Sequence, residues 1–115
     1  MHELSIAISM IELASEQAVL LGEKHVSTLY LKLGLLSGVV KEALIFSYQV
    51  ACENTILAGS KLVIEEVPVV VYCSKCQIER TLESIQLFSC PVCANPTYDI
   101  LQGKEIEIVA LEFEQ

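Results

Sequence analysis

Cys73-Ser-Lys-Cys76 and Cys90-Pro-Val-Cys93 are two C-x2-C turns separated by thirteen residues. Each turn sets two sulfurs on one tight loop. A second turn brought alongside completes a tetrahedral four-sulfur cage, an arrangement that suits zinc or iron. One such pair alone would also fit a thioredoxin-like redox dithiol, whereas two with a hairpin-length spacer point to metal. Zinc is favoured over a rubredoxin-type iron because the chain has no Trp and few aromatics to wrap a redox centre. Four protein ligands close a zinc site and leave no position for water, so the predicted role of this metal is structural.

A second candidate lies at the start of the chain, where His2 follows Met1 and precedes Glu3. Residue two offers a metal the Met1 α-amino nitrogen, the His2 amide nitrogen, the His2 imidazole and the Glu3 amide nitrogen in consecutive chelate rings. A planar set of four nitrogens suits Ni(II) or Cu(II) rather than tetrahedral zinc. The bulky second residue disfavours removal of Met1, which keeps the amine in register. An unperturbed α-amino group titrates near about 7.7–8, so a proton competes with the metal and binding weakens below neutrality. The bland alternative is a solvated, frayed terminus. His25 is expected to be a solvated loop residue, Cys52 a small core residue, and Glu12 and Glu16 part of a solvated helix face.

These residues need elements to position them. From Leu4 to about Leu21 the apolar residues Leu4, Ile8, Ile11, Ala14, Ala18 and Leu21 recur at helical spacing, with Ser5, Ser9, Glu12 and Glu16 opposite. Gly22 is placed to end this helix as a left-handed cap. His25 to Gly34 alternates, with Leu29, Leu31 and Leu33 facing one way and Thr28, Tyr30 and Lys32 the other, which predicts a strand buried on one face. Lys41 to about Thr55 reads as a second helix with Leu44, Tyr48, Ala51 and Cys52 inward, and Lys61–Val67 as a second strand ended by Pro68. After the cysteine segment, Gly103 opens a third strand that runs to Phe113. The predicted fold is α+β: two helices on a three-stranded sheet, with an inserted zinc-ribbon-like module. Residues 1–67 and 103–115 form the main domain and 68–102 the insertion. That insertion has too few apolar residues to order itself by burial and is expected to lean on its metal.

At 115 residues and 53% apolar composition the chain is one small domain with a minor insertion. No apolar run approaches the ~18 residues needed to span a bilayer. The start lacks the basic flank of an export signal, and five cysteines, four at metal spacing and one left over, fit a reducing cytoplasm better than a disulfide scaffold. A net charge of −8, made more negative by zinc on four thiolates, repels phosphate backbones, so nucleic acid is excluded as a partner. Acidity fits a basic protein partner or a cation.

Met1-His2-Glu3-Leu4-Ser5, the stretch Leu62-Val-Ile-Glu-Glu-Val-Pro68, the two cysteine pairs, Gly103-Lys-Glu-Ile-Glu-Ile and Leu111-Glu112 together resemble the HypA/HybF family of hydrogenase nickel-incorporation proteins. The resemblance covers essentially the whole chain. It implies a nickel metallochaperone that is not an enzyme, carries Ni(II) as cargo and works with a nickel-dispensing GTPase. The expected client is the hydrogenase large-subunit precursor, and a homodimer is allowed for. By position it makes His2 the essential nickel ligand, with Met1 and Glu3 contributing backbone nitrogens, and makes Cys73, Cys76, Cys90 and Cys93 the zinc ligands. Some relatives carry an acidic residue near the start of the second helix, where this chain reads Val40-Lys41-Glu42. Some also carry histidines beside the cysteines, which this chain lacks. The competing readings are a zinc-stabilised interaction adaptor with an inert N-terminus and a rubredoxin-like electron carrier.

Overall fold

The computed structural model describes residues 2–83 and 87–114. Its elements in chain order are α1 (His2–Leu20), β1 (Val26–Gly34), α2 (Lys41–Ala51), β2 (Lys61–Val67), β3 (Val69–Cys73), β4 (Ile78–Leu82), β5 (Ile100–Gln102) and β6 (Ile106–Phe113). The strands form two three-stranded sheets, ordered β2-β1-β6 and β4-β3-β5. The expected α+β class, two helices and three-stranded sheet are present, and the cysteine segment contributes a second sheet of its own. The chain divides into two compact units. One comprises Met1–Leu31, Val39–Glu65 and Glu107–Gln115, and the other Lys32–Gly38 and Glu66–Ile106.

In the first unit α1 and α2 pack against each other. The buried residues of α1 are Ala7, Met10, Ile11, Ala14 and Ala18, whereas Ile8 and Leu21 are exposed. Ile11, Ala14 and Ala18 thus face inward as expected, whereas Ile8 and Leu21 do not. Three of the five buried residues are alanines, small side chains that let a neighbouring element approach closely. α1 stops where expected. Gly22 has φ +72°, Gly22 N–H bonds Val19 O and Glu23 N–H bonds Ala18 O, the paired bonds of a Schellman cap.

α2 ends at Ala51, about four residues earlier than its apolar pattern predicts. Cys52 begins a run of turns, and Asn54 adopts a left-handed φ of 64° that a continuing helix cannot contain. Its N-cap, Val40, has no capping side chain of its own. Instead the Glu3 carboxylate, from the first turn of α1, accepts the Val40 N–H at 3.2 Å. A negative group at this end also complements the helix dipole. Leu44, Tyr48 and Cys52 are buried as expected. Burial pushes the Cys52 thiol up from its ordinary value, which suits an inert core residue.

His25 departs from the solvated residue predicted. Its Nε2 donates to Ala58 O at 2.9 Å and its Nδ1 lies 2.9 Å from the Glu114 carboxylate. Glu114 N–H also bonds His25 O. The ring ties the start of β1 to the turn before β2 and to the end of β6.

The second unit has a small apolar core that composition underplayed: Val69, Val71 and Leu82, with Leu36, Phe88 and Ile100 packed on it. β3 pairs antiparallel with β4 in the register Val69↔Leu82, Val71↔Arg80 and Cys73↔Ile78. Gly34, the last residue of β1, belongs to this unit. Its N–H bonds Glu105 O at 2.8 Å, and Leu36 N–H bonds Gly103 O at 2.7 Å. A Cβ at Gly34 would collide with the Gly103 carbonyl and lie 2.7 Å from Glu105 N. Both obstacles are backbone, so no side-chain rotation relieves them. Gly34→Ala should therefore cost about 3 kcal/mol or more. Denaturant unfolding checks this, and a loss below about 1 kcal/mol would mean that the two segments can part freely.

Candidate metal centre

The first cysteine pair sits on the β3–β4 hairpin. Cys73 closes β3, and the chain turns through Ser74 and Lys75 to Cys76. Gln77 N–H then bonds Cys73 O at 2.7 Å, with Gln77 in a left-handed conformation, φ 56°. The second pair repeats this turn. Ala94 N–H bonds Cys90 O at 2.8 Å, with Ala94 at φ 63°. Its base is held by Cys90 N–H to Asn95 O, Thr97 N–H to Phe88 O, and the Ser89↔Pro96 bridge. Two congruent knuckles thus face one another.

Each knuckle turns amide hydrogens toward sulfur. Cys76 N–H donates to Cys73 Sγ at 3.3 Å. The Cys93 amide, supported by that of Val92, draws the Cys90 thiol down to about 6 despite burial. Cys93 moves the other way. The Asn95 amide pulls it down, but burial and the sulfurs of Cys73, Cys76 and Cys90 outweigh that and push it up to about 11. The arrangement thus favours the Cys90 thiolate and resists that of Cys93, as expected of like charges crowded together without a cation.

Cys73 and Cys93 sulfurs are 3.5 Å apart, Cys76 and Cys90 sulfurs 4.0 Å, and all four lie within 4.8 Å of one another. A tetrahedral site with metal–sulfur bonds of about 2.3 Å has sulfur–sulfur edges of about 3.8 Å. The four donors therefore fit a single tetrahedral metal ion. They are far beyond the roughly 2.05 Å of a disulfide, and all are free thiols. Cys73 and Cys90 are buried, and Cys76 and Cys93 partly so.

A family model described as hydrogenase/urease nickel incorporation, metallochaperone, hypA matches residues 1–113. The chain belongs to the HypA family. The hydrogenase maturation factor HypA of Chloroflexus aurantiacus J-10-fl is 50% identical over 112 residues, covering 97% of this chain and 98% of that protein. That of Roseiflexus sp. RS-1 is 47% identical over 114 residues, covering 99% and 93%. The fold resembles the solution structure of the Ni metallochaperone HypA from Helicobacter pylori, with TM-score 0.68, 21% identity and 96% of each chain covered. It also resembles a second HypA solution structure, with TM-score 0.72, 23% identity and coverage of 99% and 97%.

For this HypA-family chain, the structure brings all four predicted zinc ligands together. Of the predicted nickel ligands, Met1 and the His2 side chain lie outside the described residues. Glu3 stands in the first turn of α1. Its carboxylate is engaged with Val40 N–H, a contact that sequence reasoning missed because it joins residues 37 apart. Arg80 was also missed as a feature of the metal centre. The Cys76 and then Cys90 sulfurs beside it raise its guanidinium above the ordinary value, stabilising the charged form.

Gln77 and Ala94 hold a conformation that disfavours any residue with a Cβ by about 1–2 kcal/mol. Part of that is recovered by glycine, which pays more chain entropy. Gln77→Gly or Ala94→Gly should raise the stability of the metal-loaded protein by up to ~1 kcal/mol at unchanged metal content. Thermal unfolding with metal analysis tests this, and destabilisation by both would mean the side chains contribute more than their backbone costs.

Proposed function

We propose that this chain is a nickel metallochaperone that delivers Ni(II) for [NiFe] hydrogenase maturation, while Cys73, Cys76, Cys90 and Cys93 hold a structural Zn(II). The observation that carries the reading is the family match along nearly the whole chain, residues 1–113, which includes both the N-terminal segment and the cysteine segment. A closed four-sulfur zinc site cannot admit cargo, so nickel is handled at the other end. In this reading the zinc-binding domain is residues 68–102, and 1–67 with 103–115 carry nickel.

The fold supports a nickel site at the start of α1. The first four N–H groups of a helix have no intrahelical acceptor. The His2 and Glu3 amides can therefore exchange a proton for a metal without breaking a helical hydrogen bond. Coordination draws on the Met1 amine, these two amides and the His2 imidazole, and Glu3 contributes its nitrogen rather than its carboxylate. As pH falls through the α-amino pKa, near about 7.7–8, protonation of the amine displaces the metal.

The partners in this reading are a nickel-dispensing GTPase and the hydrogenase large-subunit precursor, met in the cytoplasm, with self-association into a homodimer compatible. The chain itself performs no catalytic step. No helix among the described residues is long and apolar enough to cross a membrane. The charge of −8 favours steered encounter with a basic face of the GTPase. Association should slow about tenfold or more from low to high salt. A flat rate would remove steering from the account.

Calorimetric titration with Ni(II) of untagged protein, of protein extended by one N-terminal residue, and of His2→Ala tests the site. Tight binding should occur only in the untagged chain, with zinc content and helical signal equal in all three. Glu3→Gln should be milder, because the amide nitrogen survives. Equal nickel affinity across the series would move the site elsewhere and leave the zinc-stabilised adaptor as the better reading.

A further inference from the structure

Arg80 is one of only two cationic residues between Pro68 and Gln102, the other being Lys75. It stands on β4 directly opposite Val71, which is fully buried on β3. Directly opposed residues of an antiparallel pair share a face, and residues two apart on a strand share it too. Arg80 therefore projects to the same side of the hairpin as Cys73, the side on which the sulfurs gather. It is half-buried there, and among the described residues its solvent-shielded Nε has no acceptor. Nor does any described carboxylate lie within ion-pair distance of it. A guanidinium withdrawn from water without a carboxylate needs negative charge from another source. The sulfurs gathered on that side, all within 4.8 Å of one another, are the groups that can supply it, with those of Cys76 and Cys90 beside the guanidinium.

We propose that Arg80 is the charge partner of the Cys76 and Cys90 thiolates, a positioning residue that offsets the net negative charge of the metal-loaded tetrathiolate and slows its loss of metal. The proposal rests on the four-cysteine reading of the centre. Four thiolates and one divalent cation leave two negative charges in a partly buried site. Their knuckle amides supply dipoles but no net charge. Arg80 supplies a full charge that persists at any pH the protein survives, and it presents several N–H donors in a planar fork. Donation to two sulfurs lowers the energy of their lone pairs. That makes those sulfurs poorer targets for protons, electrophiles and competing metals.

The test uses full-length protein loaded with Co(II) or Zn(II), comparing wild type with Arg80→Met and Arg80→Lys. In the wild type, one equivalent of Co(II) should give tetrathiolate absorption. Stabilised sulfur lone pairs place the sulfur-to-cobalt charge-transfer band at higher energy, so Arg80→Met should shift that band to the red. Zinc transfer to a chromogenic chelator should quicken about tenfold. Arg80→Lys, which keeps a point charge but loses the fork, should fall between the two. If Arg80→Met fails to fold, Arg80→Lys decides, since its smaller red shift is still expected. An unmoved band with an unchanged transfer rate overturns the assignment, as does a loss of thermal stability alone. A wild-type Co(II) spectrum without tetrathiolate character would overturn the four-cysteine reading and this proposal with it. An Arg80 failure in a normal tetrathiolate would leave that reading standing.

Discussion

Four sulfurs confined within 4.8 Å of one another form the constraint around which the second unit is organised. As thiols they are close-packed weak dipoles, but as four thiolates they repel too strongly to coexist without a cation. The backbone prepares for the charged state. Amides of Cys76, Val92 and Cys93 point at sulfur, and both knuckles close with the same carbonyl-to-amide bond between residues four apart. The left-handed conformations of Gln77 and Ala94 are what those closures require, and they persist because the sheet and the bridge at Ser89 and Pro96 hold the flanking chain. The small core of Val69, Val71 and Leu82 then aligns one knuckle on its hairpin.

The first unit is held by a different kind of interaction. Its two helices and the inward leucines of β1 bury apolar surface in the ordinary way, and the ion pair between His25 and Glu114 lies at the half-exposed end of β6. What this unit adds is the start of α1, whose first N–H groups have no acceptor within the helix, tied by the Glu3 carboxylate to the beginning of α2. In the proposed reading, the sulfur cage and the helix terminus would select metals of opposite preference. The first would hold a closed tetrahedral ion, and the second an open planar set from which cargo could leave.

Much of this was legible from residue order alone, and the exceptions have physical causes. Cysteine spacing identifies the four sulfurs because tetrahedral ligation demands two short turns, and the alternation of Leu29, Leu31 and Leu33 identifies β1 because one face is buried. On α1 the helical spacing placed Ile11, Ala14 and Ala18 inward correctly, but it also placed Ile8 and Leu21 there, and both are exposed. Ala7 and Met10 are buried in addition. α2 was read too long because Cys52 and Thr55 continue its apolar spacing, whereas the Asn54 conformation breaks the helix. The partners of His25, the Glu3–Val40 contact and the place of Arg80 beside the sulfurs depend on residues far apart in the chain, so no local pattern carries them. Left-handed Gln77 and Ala94 escaped notice because such positions are usually marked by glycine.

The central claim is that two metals occupy separate sites with chemically distinct donors. X-ray absorption at both metal edges, on one untagged sample carrying one equivalent each of zinc and nickel, tests it most directly. The account predicts a zinc shell of sulfur alone at about 2.3 Å. It predicts a nickel shell of nitrogen and oxygen donors without sulfur. Sulfur scattering in the nickel shell, or nitrogen and oxygen replacing sulfur around zinc, would contradict it.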